Sequence, residues 1–170
     1  MILDKKVICI IPAKKKSVGL KNKNFKLIKN KPLYVHSIEF AKKCKLFDKI
    51  VVSSDSEVIL KKAKKLKVIS LKRPAKFASS DAQVSDVIIH VLENIKSKFS
   101  LLVLLQPTTP IISIKELETS LKIIAKKNYN NIIAIKEGNL TIEHLLEKKN
   151  KNLINHIIKK KNSFSSNRQF

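Results

Sequence analysis

The feature that most constrains the fold is an apolar run near the amino terminus, Val7–Pro12, which passes directly into a basic loop, residues 13–24. The run has the length and β-branched content of a fully buried strand, and it lacks the polar alternation of a strand with one wet face. We therefore predict a central strand of a parallel sheet. The loop then lies at the carboxyl end of that strand, where open α/β sheets bind their ligands.

The loop is basic, with lysine at positions 14, 15, 16, 21 and 23. Lysine side chains at a strand's carboxyl end favour an anionic ligand. A lysine-rich loop is also what the composition of the chain alone would produce, because 36 of its residues are lysine or arginine. Both interpretations stay open at this point.

Apolar runs and amphipathic segments alternate along the rest of the chain. Strands are predicted at 49–53, 68–71, 101–105 and 131–135, and helices at 31–45, 57–66, 85–95 and 113–125. This alternation predicts an α/β class domain of three layers, in which a Rossmann-like, mostly parallel sheet carries helices on both faces. At 170 residues and 44% hydrophobic content, the chain is predicted to form a single domain, 1–170.

Polar residues at the helix starts predict caps. Asp55 or Ser56 is predicted to cap the helix that begins at Glu57, and Ser113 with Glu116 forms a capping box for the fourth helix. The lysine-rich segment 148–161 is predicted to be solvated.

The net charge of +23 suggests that the chain could function by binding nucleic acid or another polyanion, because a strongly positive field attracts polyanions. Only two of the basic residues, Arg73 and Arg168, are arginines, whereas phosphate and base recognition favour the guanidinium fork. The lysines are spread along the chain without clustering with aromatic residues, and codons rich in A and T explain them equally well. Nucleic-acid binding is therefore not predicted as the main function.

Cysteine content and hydropathy indicate an intracellular protein. Cys9 and Cys44 are too few and too far apart for a disulfide framework or a zinc site, and both are predicted to be small core residues. No run approaches the length of a membrane span, and the amino terminus does not have the pattern of a signal peptide. A cytoplasmic location is predicted.

Four segments carry a family resemblance. They are I-I-P-A with Ser17, Gly19, Lys23 and Asn24; V-V-S-S-D-S-E at 51–57; R-P-A at 73–75 with Ala78; and L-L-Q-P-T-T-P at 104–110, which is the most specific. Together they resemble the acylneuraminate cytidylyltransferases, the family that activates sialic and related nine-carbon acids.

The resemblance implies a fold of the nucleotide-diphospho-sugar transferase type and an enzyme that transfers CMP from CTP to the anomeric hydroxyl of a sialic-acid-like sugar, releasing pyrophosphate. Mg²⁺ is implied as the ion that bridges the phosphates, and a homodimer is implied as the assembly. The family's metal-binding aspartates belong to a segment beyond Phe170, so the chain is expected to lack that carboxyl-terminal segment and to contain no metal ligands.

The resemblance also assigns roles to individual residues. It implies catalytic roles for Lys14 and Lys23 and sugar binding by Gln106 and Arg168. The residues implied to bind the nucleotide are Pro12, Ala13, Lys14, Ser17, Gly19, Lys23, Asn24 and Arg73. For Arg73 a surface ion pair is the alternative.

The chain departs from the family pattern at several points. Lysines replace the arginine and the glycines of the loop at positions 14, 15 and 16, and Val18, Ile112 and Glu143 stand where the family has basic residues. Three hypotheses follow: an active cytidylyltransferase, a homologue that binds nucleotide or a partner subunit without turnover, and a general polyanion binder.

Overall fold

The computed structural model describes residues 2, 4–17, 19–79, 81–109, 113–127, 129–134, 146–150 and 153–156, the last two ranges by their backbone alone. The chain divides into two compact units, formed mainly by Met1–Ile132 and by Ile133–Gln169.

The first unit contains six strands and four helices among its described residues. In chain order they are β1 (Val7–Pro12), β2 (Leu27–Ile28), β3 (Lys31–Pro32), α1 (Leu33–Lys43), β4 (Lys49–Ser54), α2 (Glu57–Lys65), β5 (Ile69–Lys72), α3 (Val84–Asn94), β6 (Leu101–Leu104) and α4 (Ile114–Lys127). Short 3-10 turns lie at Lys23–Phe25 and Ala75–Phe77.

The main sheet is parallel and has the strand order β5–β4–β1–β6. In β1, Ile10 is paired with Val51 of β4 on one side and with Leu104 of β6 on the other. All residues from Val7 to Ile11 are fully buried. The predicted central, fully buried strand is therefore confirmed, and its β-branched composition fits a position covered on both faces.

Helices cover both faces of this sheet. Cys9 and Ile11 point to a cluster that includes residues of α1 and α2, and Val7, on the same face, packs with Leu121 of α4. On the opposite face, Ile8 and its neighbours pack against α3. The predicted three-layer α/β architecture is confirmed.

A small hairpin precedes α1 and was not predicted. Strands β2 and β3 pair through a turn in which Lys29 and Asn30 have φ values of 46° and 61°. Two positive φ values are what a tight two-residue hairpin needs. Each strand has only two residues, too few for an alternating pattern, and α1 consequently begins at Leu33 and not at Lys31.

The strand predicted at 131–135 is wrong for its described residues. Residues 131–134 are irregular, and Ile132 and Ile133 are 42% and 63% exposed. An apolar β-branched run becomes a strand only where a neighbouring strand can pair with it. The fifth predicted residue, Ile135, lies outside the described residues.

The second unit contains an antiparallel hairpin, β7 (Leu146–Asn150) with β8 (Leu153–His156), in which Leu146 pairs with His156. Most of this hairpin falls in segment 148–161, which we predicted to be solvated and for which we named no strand. Its lysine and asparagine content hides any alternation.

Cys9 and Cys44 are buried core residues, as predicted. Burial raises the pKa of the Cys9 thiol far above its ordinary value, and Cys44 adds to the shift. None of the helices in the described part of the chain combines the length and apolar character needed to cross a bilayer.

Candidate functional site

The carboxyl ends of the four parallel strands meet at one edge of the sheet. The backbone pairing continues past the strands, because Ala13 N donates to Ser53 O at 2.9 Å and Arg73 N donates to Ser54 O at 2.8 Å. This edge therefore brings the start of loop 13–24 next to the end of β4 and the residue that follows β5.

Side-chain hydrogen bonds also join the loop to the last residue of β4 and to the residue that follows it. Ser54 Oγ donates to Ala13 O at 2.6 Å, and Lys15 N donates to Asp55 Oδ1 at 2.7 Å. Within the loop, Asn24 Nδ2 donates to Lys14 O at 2.7 Å, and Asn24 is only 5% exposed. The beginning of the loop is thus held by hydrogen bonds at three successive residues.

The predicted helix cap by Asp55 or Ser56 is wrong. Ser56 occupies the N-cap position of α2, but its side chain makes no capping hydrogen bond. Asp55 directs Oδ1 to the backbone N–H of Lys15 instead. A bond between residues 40 positions apart is not visible in a local sequence pattern, which is why sequence reasoning missed this role.

The two predicted catalytic lysines are half-buried and lie at opposite ends of the loop. Lys14 Nζ donates to Ser79 O at 3.5 Å, a long hydrogen bond that joins the loop to the segment after the Ala75–Phe77 turn. Lys23 begins the 3-10 turn that contains Asn24. Ser17 is half-buried.

Gly19 is exposed and lies in open space. A Cβ atom added there would have no neighbour within 4 Å, and its φ lies outside the left-handed region. The fold itself therefore does not require glycine at this position. The need for glycine, if there is one, has to come from a ligand.

Arg73 is buried at the edge, so the alternative of a surface ion pair is wrong. Its side chain donates from Nε to Ser53 Oγ at 3.2 Å and from Nη2 to Ser53 O at 2.7 Å, and the residue is 5% exposed. Burial lowers the pKa of Arg73 to about 10, while the nearby Asp55 acts to raise it. The guanidinium stays charged at neutral pH and adds a fixed positive charge under the loop.

Gln106 follows β6 at the same edge, as predicted. It is half-buried, and its Oε1 accepts a 3.4 Å hydrogen bond from Thr108 Oγ1, while Thr109 N closes a turn onto Gln106 O at 3.1 Å. Pro107 is buried between them. Arg168, the other residue predicted to bind the sugar, lies outside the described residues, as do Val18, Ile112 and Glu143.

A cleft of about 440 Å³ lies beside the loop, at the start of α2. It is lined by Lys15, Asn22, Phe25, Asp55, Ser56, Glu57 and Val58. Asn22 has φ 55° and ψ 34°, a left-handed conformation that asparagine tolerates better than most residues. Of the predicted site residues, none lines this cleft, so it lies next to the predicted site and not within it.

The described residues do not fit a protein-held magnesium site. No three histidine, cysteine, aspartate or glutamate side chains gather among them. Of the two carboxylates at this edge, Asp55 already accepts from Lys15 N, and Glu57 is paired with Lys72 at 3.0 Å. Magnesium stays a prediction from the resemblance, and we assign no step to it.

Comparison with protein families gives one match to nearly the whole chain. A model described as cytidylyltransferase matches residues 8–170. An N-acylneuraminate cytidylyltransferase of Escherichia coli O18:K1:H7 is 38% identical over 105 residues, which cover 62% of this chain and 25% of the relative. The post-translational flagellin modification protein B of Campylobacter coli is 33% identical over 132 residues, covering 75% of this chain and 56% of that protein. The chain thus spans between a quarter and rather more than half of these relatives.

Solved structures show the same fold. A CMP:2-keto-3-deoxy-manno-octonic acid synthetase in complex with CTP superimposes with a TM-score of 0.62 at 20% identity, covering 72% of this chain and 48% of that one. A cytidylyltransferase from Leptospira borgpetersenii gives a TM-score of 0.55 at 23% identity, covering 72% and 50%. At these identities the likeness concerns the fold alone.

Proposed function

The chain belongs to the cytidylyltransferase family, and from that premise we propose that it transfers CMP from CTP to a sialic-acid-like nonulosonic acid. In this reaction the anomeric hydroxyl oxygen of the sugar bonds to the α-phosphorus of CTP while the bond from that phosphorus to pyrophosphate breaks. Such a transfer depends on positioning and charge neutralisation more than on covalent chemistry by the protein.

The observation that carries the proposal is that the basic loop, residues 13–24, is held at the sheet edge by hydrogen bonds. Loop 13–24 is tied to the end of β4 at the carboxyl edge of the sheet, where open α/β sheets bind ligands. Lys14 is the loop lysine that also reaches the segment after Arg73, through Ser79. We propose that Lys14 and Lys23 neutralise the triphosphate and that the charge of buried Arg73 supports them from below.

The acceptor is proposed from the relatives and from Gln106. The relatives reported above are named for N-acylneuraminate and for flagellin modification. The amide of Gln106, held at the end of β6, supplies both a donor and an acceptor for a sugar hydroxyl or amide. A ketodeoxyoctonate-type acid is the alternative acceptor. A homodimer and a cytoplasmic location stay predictions.

Calorimetric titration with CTP, and with ATP and GTP as controls, tests the nucleotide site. Lys14→Ala is the informative variant, and Lys122→Ala, which removes the same charge from the exposed face of α4, is its control. We expect selective CTP binding that Lys14→Ala weakens about tenfold or more, since a hydrogen bond to a charged group is lost. Equal binding of all three nucleotides, or equal effects of the two variants, contradicts the proposal.

A pyrophosphate-release assay with CTP and candidate acid sugars tests turnover separately. Release that depends on one nonulosonic acid supports the transferase and identifies its acceptor. Selective CTP binding without release with any acid would instead favour the hypothesis of nucleotide binding without turnover.

A further inference from the structure

The peptide unit that joins Lys14 to Lys15 is held at both of its polar atoms. Asn24 Nδ2 donates to Lys14 O at 2.7 Å, and Lys15 N donates to Asp55 Oδ1, also at 2.7 Å. The C=O and N–H of a trans peptide point in opposite directions. The side chains of Asn24 and Asp55 therefore hold this peptide unit by hydrogen bonds at its two opposite edges.

Asn24 and Asp55 both belong to parts of the backbone that are held in place by burial or by hydrogen bonds. Asn24 is buried at the end of the loop. Asp55 directly follows the fully buried Ser54, whose hydroxyl donates to Ala13 O and accepts from Ser56 N. Groups held by rigid elements position a functional side chain better than a free loop does.

We propose that Asp55 is a positioning residue, which holds the N–H of Lys15 and thereby sets the direction in which Lys14 enters the nucleotide site. The inference rests on the proposed function, in which Lys14 binds the triphosphate. Asp55 directly follows β4 and lies 40 residues from Lys15 in the chain, so its hydrogen bond couples the loop to the sheet edge that also holds Arg73.

The charge of Asp55 makes the inference testable, because two effects have opposite signs. CTP is an anion, so long-range electrostatics alone predicts that removal of a nearby carboxylate strengthens CTP binding. Loss of positioning predicts weaker binding. Glu57 is the matched control, since it lines the same cleft but pairs with Lys72 and makes no hydrogen bond to the loop among the described contacts.

The experiment measures the dissociation constant of CTP for Asp55→Ala, Asp55→Asn and Glu57→Ala. We expect Asp55→Ala to bind about tenfold more weakly than the unaltered chain. Asp55→Asn, whose amide oxygen still accepts from Lys15 N, should stay within about twofold. Glu57→Ala should bind equally or more tightly. CTP binding by Asp55→Ala that matches Glu57→Ala overturns the inference, and so does an equal loss in Asp55→Asn and Asp55→Ala.

If Asp55→Ala does not fold, Asp55→Glu replaces it. Glutamate keeps the charge but moves the carboxylate oxygen away from Lys15 N. Because the charge is kept, electrostatics alone predicts the affinity of the unaltered chain for Asp55→Glu. The inference requires Asp55→Glu to bind CTP about tenfold more weakly than the unaltered chain, and equal affinity overturns it.

Amide hydrogen exchange at Lys15 supplies a readout without nucleotide. We expect exchange about tenfold faster in Asp55→Ala than in the unaltered chain, with Asp55→Asn close to the latter. An unchanged rate overturns the inference even if CTP binds. Failure of the unaltered chain to bind CTP overturns the proposed function. The exchange rate at Lys15 then still tests whether Asp55 holds the loop.

Discussion

At the scale of single residues, Arg73 makes contacts that hold the fold and is also proposed to act in the nucleotide site. Its Nε and Nη2 bind Ser53, which leaves further N–H groups of the guanidinium for other partners. Removal of this buried side chain takes two hydrogen bonds from Ser53, whose carbonyl keeps the bond from Ala13 N, and also removes a positive charge from this edge of the sheet. A change in ligand binding on mutation of Arg73 therefore needs a stability measurement beside it.

We expect Arg73→Ala to lower the free energy of unfolding by about 1–3 kcal/mol, because buried hydrogen bonds to Ser53 are lost. Lys122→Ala, on the exposed face of α4, should change it by about 0.5 kcal/mol or less. Urea unfolding measures both. Equal small effects would mean that the contacts of Arg73 with Ser53 do not stabilise the fold.

Gly19→Ala separates folding from binding. Nothing lies within 4 Å of the added methyl group, so the free energy of unfolding should change by about 0.5 kcal/mol or less. If a phosphate approaches the backbone at this point of the loop, the methyl group obstructs it and CTP binding weakens. Urea unfolding and calorimetry on one preparation check both expectations, and unaltered CTP binding would place the phosphates elsewhere.

At the scale of elements, the structure depends on β1. It lies between β4 and β6 in the sheet, its residues Val7–Ile11 are fully buried with helices on both faces, and its carboxyl end leads into loop 13–24. Its packing fixes the start of the loop as well as the core.

Ile10→Ala tests how much the packing of β1 contributes to the stability of the fold. Ile10 is fully buried against the α3 side of the sheet, so we expect a loss of about 2–5 kcal/mol in the free energy of unfolding. Ile69→Ala, at a 37% exposed position on the edge strand β5, should cost about 1 kcal/mol. Similar losses at the two positions in urea unfolding would contradict the central place of β1.

Most strands and helices were predictable because the sequence patterns that indicate them lie within the elements themselves. Apolar runs gave β1, β4, β5 and β6, and three-and-four spacing gave the four helices. The same signal misled at 131–134, where none of the described strands pairs with the run, and it was absent from the two-residue strands β2 and β3. Strand pairing is a property of the partner as much as of the segment itself.

The candidate site was predictable in part. The sequence placed Lys14, Asn24 and Gln106 at the carboxyl edge of the sheet, where the structure has them. It did not reveal the bond from Asp55 to Lys15 or the burial of Arg73 against Ser53, because both depend on contacts between residues far apart in the chain.

At the scale of the whole molecule, the net charge of +23 attracts any polyanion. The 36 lysines and arginines outnumber the 13 aspartates and glutamates, and ion pairs among the described residues include Lys31–Glu39 and Lys72–Glu57. Long-range attraction of this kind is screened by salt, whereas contacts at a fastened loop are screened less.

Salt should therefore separate general from specific binding. Raising the salt concentration from about 0.05 to about 0.2 M should lower the affinity for single-stranded DNA by about a thousandfold or more if several phosphates are contacted. The ratio of CTP to GTP affinity should stay unchanged over the same range. Titrations at both salt concentrations measure this, and a ratio that falls to one would favour the general polyanion binder.

We propose that CTP binds at the carboxyl edge of the sheet, beside loop 13–24. The most direct measurement is amide hydrogen exchange with and without CTP along the whole chain. We expect added protection in loop 13–24, at 53–55 and at 72–73, with no change along the exposed face of α4. Protection spread over the lysines of α4 as well, or no added protection at the sheet edge, would contradict it.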